Sequence, residues 1–377
     1  MGVITGLGVY LHFPWCRKLC PYCDFAVEVG TPLHDAYLDG ILAELARRAP
    51  AFPGALVSIY LGGGTPSLWR ADCIAKAIAA ICEHYGQTPR EVTIEANPTD
   101  VTDDNLAAWR MAGITRVSIG VQSLEPSDLV VLGRDHRFGD GRAAVERALA
   151  AGLTTSADFI LGTPGPTARM PASRTAVETL GADHLSVYEL TIEERTAFGQ
   201  RVRDGRLVPL DEDLLEEKYV ATHERLLAAG YEHYEISSYA RPGKRAVHNS
   251  LYWQGAPFLG LGVGAASLEL GPDGSGVRAT NPRRAAAYLA DPGTPADSIT
   301  SSPSEMAADR VWLGLRTSDG VRADDLAPTG GLVDELISQG LLERRDDRIC
   351  PTLRGFLMAD HVAARVVQAW PAGGPER

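Results

Sequence analysis

Along the first 240 residues, short runs of apolar, β-branched or aromatic side chains alternate with longer stretches whose apolar positions recur at helical spacing. The runs at 8–13, 56–61, 92–96, 116–121, 156–161 and 184–190 predict six strands. Between and after them, 32–48, 71–84, 103–112, 139–151, 172–180 and 211–229 predict helices, with Thr102 as a cap and Gly113, Gly152 and Gly230 at stops. Six such alternations require crossovers of one hand, hence an α/β fold with a parallel sheet covered by helices. In such sheets the chemistry gathers at the carboxyl ends of the strands. The alternation alone does not separate an open sheet from a partial or full barrel.

Beyond residue 270 the pattern changes. Residues 271–303 are rich in Gly, Pro, Ser, Asp and Thr and read as loop and linker, interrupted by a short helix near 282–290. From 304 onward come helices at 305–316 and 331–339, a hairpin turning near Asp346 and Asp347, and a helix at 353–367. The expected organisation is a core at 1–270, a linker at 271–303 and a small α+β domain, of winged-helix type, at 304–377.

Composition narrows the function classes. With 377 residues, 45% hydrophobic and 22% charged, the chain can bury a core without covalent staples. Lys plus Arg number 36 against 48 Asp plus Glu, a net charge of -12, which argues against a nucleic-acid partner. No apolar run approaches the roughly 18 residues of a membrane helix, the longest candidate being 256–268. The first residues lack the pattern of a secretory signal, so a cytoplasmic protein is expected. Six cysteines are too few for a disulfide scaffold; Cys73, Cys82 and Cys350 are scattered, while Cys16, Cys20 and Cys23 crowd together just after the first strand.

That cysteine loop is the dominant chemical signal. Thiolates suit iron-sulfur clusters, and three on one short loop can hold a four-iron cluster while leaving one iron open. A structural zinc site usually uses four closed ligands in two pairs, and no second pair exists here. Other chemistry-bearing residues fall at or near strand ends: Gly62-Gly63-Gly64-Thr65-Pro66 after strand two, Glu95-Ala96-Asn97-Pro98 after strand three, Gln122 closing strand four and Asp158 on strand five. Each has a bland alternative, a tight turn for the glycines, a cap for Glu95, and a surface ion pair for Arg134.

The C-x3-C-x2-C loop resembles that of the radical S-adenosylmethionine superfamily, whose usual fold is a six-stranded partial (β/α) barrel. Together with Gly120-Val121-Gln122-Ser123, Leu132-Gly133-Arg134-Asp135-His136 and Asp158-Phe159-Ile160-Leu161-Gly162, it is similar to the branch that contains oxygen-independent coproporphyrinogen III oxidase. The resemblance implies a [4Fe-4S] cluster on Cys16, Cys20 and Cys23. It implies S-adenosylmethionine contacts at Tyr10, Tyr22, Gly63, Gly64, Thr65, Glu95, Gln122, Arg134 and Asp158.

Within that branch the true oxidases carry an extension before the cluster and a fourth cysteine, where this chain has Phe25. His248-Asn249-Ser250-Leu251-Tyr252-Trp253 instead resembles the H-N-x-x-Y-W element of haem chaperones of the HemW type. A neutral imidazole can ligate haem iron, which makes His248 the implied haem contact. Two positions depart from the pattern: Ala266 stands where a His is common, and Pro166 where Gln is common.

The expectation is a cytoplasmic haem chaperone with a [4Fe-4S] cluster, S-adenosylmethionine and haem, passing haem to an acceptor such as a respiratory enzyme. A homodimer and peripheral membrane contact are left open. The alternatives are a radical enzyme of the oxidase or methyltransferase type, and a zinc-stabilised binding protein.

Overall fold

The computed structural model describes residues 6–165 and 177–370. β1 (Leu7–Phe13) leads into β2 (Trp15–Cys16), which pairs in parallel with β3 (Glu28–Val29). Then follow α1 (His34–Arg48), β4 (Leu56–Gly63), α2 (Ala71–Tyr85), β5 (Glu91–Ala96), α3 (Asp103–Met111), β6 (Arg116–Gln122), α4 (Pro126–Val131), α5 (Asp140–Ala150), β7 (Thr154–Leu161) and β8 (His184–Glu189). The chain continues through α6 (Ala197–Arg203), α7 (Glu212–Ala228), the hairpin β9 (Glu232–Glu235) and β10 (Ser238–Ala240), α8 (Val247–Trp253), β11 (Phe258–Gly262) and β12 (Ala266–Leu270). The six expected strands correspond to β1, β4, β5, β6, β7 and β8. The helix expected at 172–180 lies mostly outside the described residues, which show there only a short 3-10 turn at Val177–Leu180.

β1, β4, β5, β6, β7 and β8 pair in parallel in that order, and β11 adds a seventh parallel strand on the free side of β1. The sheet curls: Tyr60 on β4 and Tyr188 on β8 are separated by three strands yet line one cavity. This is the partial barrel. Its strands alternate in a period of two, as pleated strands must. On β1, Leu7, Val9, Leu11 and Phe13 pack outward in the apolar core, which also holds Ile41 and Leu45 of α1 and Ile74 and Ile78 of α2. Gly8, Tyr10 and His12 point the other way. The barrel interior is unusually polar, with Ser58, Arg116, Ser118, Ser156, His184 and Ser186 all buried there.

The stretch read as linker is corrected. It holds β13 (Gly276–Thr280), α9 (Ala285–Ala290) and β14 (Asp297–Ser301), and β12, β13 and β14 extend the large sheet as antiparallel strands. The residues 271–275 are a hairpin turn, closed by Gly271 N–H to Ser275 O at 2.9 Å and by the Asp273 carboxylate on Ser275 N–H at 3.0 Å.

The C-terminal region is α+β as expected: α10 (Pro303–Gly314), β15 (Val321–Arg322), α11 (Leu332–Ser338), β16 (Leu342–Arg345), β17 (Arg348–Pro351), α12 (Leu353–Leu357) and α13 (Ala359–Gln368). The last expected helix is two, because Met358 leaves helical geometry at φ -109°, ψ 26°. A separate apolar cluster built on Leu315, Leu336, Leu342, Ile349 and Val366 holds this region together.

Candidate functional site

At the carboxyl ends of the parallel strands lies a cleft of about 360 Å³ lined by Cys16, Cys20 and Cys23 together with Tyr22, Gly63, Gly64, Thr65, Glu95, Gln122, Arg134 and Asp158. Residues dispersed over 143 positions of sequence therefore meet in one place. The three thiols are half-buried and free. Thr65 Oγ1 donates to Cys16 Sγ at 3.5 Å and an Arg134 N–H donates to Cys20 Sγ at 3.7 Å, both contacts that favour a thiolate. Burial works against them, pushing the Cys16 thiol up to about 11 and raising that of Cys23. Among the described residues no three His, Cys, Asp or Glu side chains converge as a single metal ion requires.

The glycine turn after β4 is shaped by contact. A Cβ on Gly62 would lie 2.9 Å from the Tyr10 and Tyr60 rings and 3.1 Å from Glu95 Oε1; one on Gly64 would lie 2.7 Å from Pro14 O. Gly63 has φ +115°, a conformation that disfavours a side chain, and its N–H donates to Glu95 Oε2 at 3.1 Å. The other Glu95 oxygen accepts the Tyr60 hydroxyl at 2.8 Å. Burial still pushes Glu95 up to about 7, with the nearby Asp158 adding to the rise. Asp158, on β7, is pushed up to about 6 by burial, against the opposing hydrogen bonds of Ser186 and Ser118.

Two polar atoms of this cleft have no hydrogen-bond partner among the described residues: Asp158 Oδ1 and Arg134 Nε. Arg134 is otherwise anchored on Asn97 Oδ1 at 2.6 Å and Gly120 O at 3.2 Å. Buried orphan groups are costly, and these two lie on the lining of the cleft, where a polar ligand would be able to reach them. Gln122 carries a second mark, a left-handed φ of 64° rare for a residue with a side chain. The donor set, the glycine turn and the orphan atoms fit the cluster and the polar cofactor that the cysteine-loop resemblance implies.

Tyr10 is placed one step away from the cleft lining. Its ring stacks on Tyr60 at 6.1 Å and its hydroxyl donates to His12 Nδ1 at 3.0 Å, while His12 Nε2 donates to Ala26 O at 2.9 Å. Sequence reasoning missed Tyr60, Ser118 and Tyr188, and gave Asn97 no role beyond its place in the Glu95 segment. Tyr60 and Ser118 were within reach, since each sits two residues before a glycine on the inward side of its strand.

His248 lies on a helix. It occupies the first turn of α8, which plugs the opposite, amino-terminal end of the barrel, and it is 1% exposed. Its Nδ1 is 2.8 Å from Ser58 Oγ and its Nε2 is 2.8 Å from the Tyr252 hydroxyl, so both ring nitrogens are engaged. Burial lowers its pKa to about 3, which leaves a neutral imidazole. In this arrangement the ring presents no free nitrogen to an iron. Trp253 faces away, into a polar cavity of about 330 Å³ shared with Thr317, Arg345 and Arg348 of the C-terminal region. Ala266 opens β12 and is exposed; Pro166 lies outside the described residues.

No described helix is long and apolar enough to cross a membrane. Comparison with known proteins agrees with the geometry. The Radical SAM superfamily pattern matches residues 10–172, and the HemN C-terminal domain pattern matches 302–358. A protein named heme chaperone HemW from Mycobacterium tuberculosis (strain ATCC 25618 / H37Rv) is 36% identical over 369 residues, covering 94% of this chain and 93% of its own. The heme chaperone HemW of Escherichia coli (strain K12) is 36% identical over 290 residues, 75% of each chain. The solved structure of coproporphyrinogen III oxidase (HemN) from Escherichia coli superimposes with a TM-score of 0.78 at 23% identity, over 96% of this chain and 89% of that one, and so shares the fold. With its cysteine loop, its partial barrel and its end-to-end similarity to HemW proteins, the chain belongs to the HemN-like, HemW-containing branch of the radical S-adenosylmethionine superfamily.

Proposed function

We propose that this protein is a haem chaperone built on a radical S-adenosylmethionine scaffold, which carries haem to an acceptor protein. The observation that carries the reading is the cleft that three cysteines line together with two partly buried carboxylates and an anchored arginine, within a chain that matches HemW proteins along nearly its whole length. Cys16, Cys20 and Cys23 would hold a [4Fe-4S] cluster. When bound, such a cluster with S-adenosylmethionine supplies reductive cleavage of a sulfonium bond. The chain's own residues bind and orient: the Gly63-Gly64-Thr65 turn admits the polar end of the cofactor closely, and Glu95 offers a carboxylate to its hydroxyls. Arg134 and Asp158 have one unsatisfied atom each to complete. Tyr22 and Gln122 shape the rim. Haem, an acceptor such as a respiratory enzyme, and a cytoplasmic setting belong to the same proposal.

Anaerobic reconstitution with iron, sulfide and haem measured on one sample tests it. The expected result is about four irons per chain, as a single cubane requires, with a Soret band that moves to an added apo-acceptor. Repeated conversion of a porphyrin substrate with deoxyadenosine release would replace this reading with a radical enzyme. A colourless, zinc-containing preparation would sink it.

A further inference from the structure

The His-Asn-x-x-Tyr-Trp element sits at the end of the barrel opposite the cysteine loop, and its surroundings are built to receive it. Gly8 on β1 leaves the space that the His248 ring fills: a Cβ there would lie 3.1 Å from His248 Cε1 and 3.2 Å from Nδ1. The first N–H groups of α8, on Val247 and His248, donate to Glu91 Oε1 at 2.9 and 3.0 Å. Glu91 in turn pairs with the buried Arg116 at 2.8 Å, and Arg116 reaches the carbonyls of Lys244 and Arg245 just before the helix. α8 is therefore locked in place from both its N–H groups and its preceding loop.

From that position His248 faces the floor of the cofactor cleft. Its ring lies 5.2 Å from that of Tyr60, tilted by 32°, and 6.4 Å from that of Tyr10, while Tyr10 and Tyr60 stack on each other. Ser58, which meets Nδ1, is two residues before Tyr60 on the same face of β4. Tyr60 then donates to Glu95. A continuous packed path runs from His248 through Tyr60 to the carboxylate that lines the cleft.

We infer that His248 is a positioning residue for the S-adenosylmethionine site, holding Tyr60 under Glu95 with the help of Tyr252, and that haem is held elsewhere on the protein. The inference rests on the reading of the cleft as the cofactor site. Both ring nitrogens are used in this role, so the same imidazole cannot ligate haem while α8 is seated.

The test is a double-mutant cycle on cluster-reconstituted full-length protein, with S-adenosylmethionine affinity measured by equilibrium dialysis and haem uptake by Soret titration. His248→Ala and Tyr60→Phe should each weaken S-adenosylmethionine binding about fivefold to tenfold, the scale of one hydrogen bond. If His248 acts through Tyr60, the double variant should bind no more weakly than the weaker single variant. His248→Asn, which keeps a polar atom toward Ser58, should recover part of the loss, and haem uptake should be unchanged in all variants. Should His248→Ala fail to fold, Tyr252→Phe takes its place in the cycle, removing only one hydroxyl. Multiplicative losses, unchanged cofactor affinity, or a lost Soret band in the His248 variants would overturn the assignment. Wild-type protein that takes up no S-adenosylmethionine would instead overturn the reading of the cleft itself.

Discussion

The two ends of the barrel are lined from the same strands yet differ in how their polar groups are satisfied. At the carboxyl end three thiols stand half-exposed, Asp158 Oδ1 and Arg134 Nε lack partners among the described residues, and Gln122 holds a left-handed backbone angle. At the amino end Glu91 and Arg116 pair with each other, with Ser156 and with the α8 backbone, and His248 has both nitrogens occupied. Among the described residues Thr93 Oγ1 and His184 Nδ1 are exceptions away from the cleft. Burial alone does not identify a ligand site, since both ends bury charge. What separates them is what the charged groups meet: at the amino end Glu91 and Arg116 meet each other and the backbone before and at the start of α8, and at the carboxyl end Asp158 and Arg134 line an open cleft beside three free thiols.

The sharpest break of that comparison is removal of the thiols. Replacing any one of Cys16, Cys20 or Cys23 by Ala should abolish cluster incorporation, read as loss of iron and sulfide in the reconstituted protein, while far-UV circular dichroism stays native. At the closed end the same measurements should separate in the opposite sense. Glu91→Ala strands the buried Arg116 and unseats the α8 amides, and should cost about 3–5 kcal/mol in urea unfolding.

A smaller effect is expected at the glycine turn. Gly63→Ala imposes a side chain at φ +115° with its Cβ 2.7 Å from the His12 ring, and should destabilise by about 1–3 kcal/mol while weakening S-adenosylmethionine binding. The smallest is a pH dependence. Burial holds the Glu95 proton to about pH 7 in the folded chain, against an ordinary value of 4.5. A raised carboxyl pKa means the folded state binds more protons in this window. Its contribution to stability is complete below about pH 4.5 and lost as the pH rises through 7. Glu95→Gln should flatten the stability profile between pH 5 and 7, by no more than about 1.4 kcal/mol per unit. Asp158 and Glu235, raised in the same direction, retain their own shares of the slope.

Much of the fold was legible because the strands read as short β-branched and apolar runs between helical stretches, as in Val117, Ile119 and Val121 of β6, whose side chains pack in the core outside the barrel. The cleft was legible for a related reason, as strand ends are where a βαβ sheet concentrates ligand-binding turns. β13 and β14 were not. β14 is an edge strand with Asp297 to Thr300 all exposed, so no alternation of apolar residues marks it. The Gly- and Ser-rich 271–275 that suggested a linker serves as the turn of a hairpin. β11 was hidden differently: a Leu-Gly repeat beside β1 uses glycine for close backbone approach, and a Cβ on Gly260 would fall 1.9 Å from Ala266 O.

His248 shows the limit most clearly. Its residue type and its neighbours in the chain are compatible with iron ligation, and only the packed structure puts Ser58, Tyr252 and the vacant side of Gly8 around it. The sequence by itself determined the alternation of strands and helices, the trio of cysteines and the inventory of groups able to meet a polar cofactor, because periodicity and donor chemistry are local properties. Tertiary structure alone decided which of those groups face a cleft and which saturate one another, because hydrogen-bond satisfaction depends on partners tens to hundreds of residues away. Glu91 and His248, 157 positions apart, meet only when α8 seats in the base of the barrel.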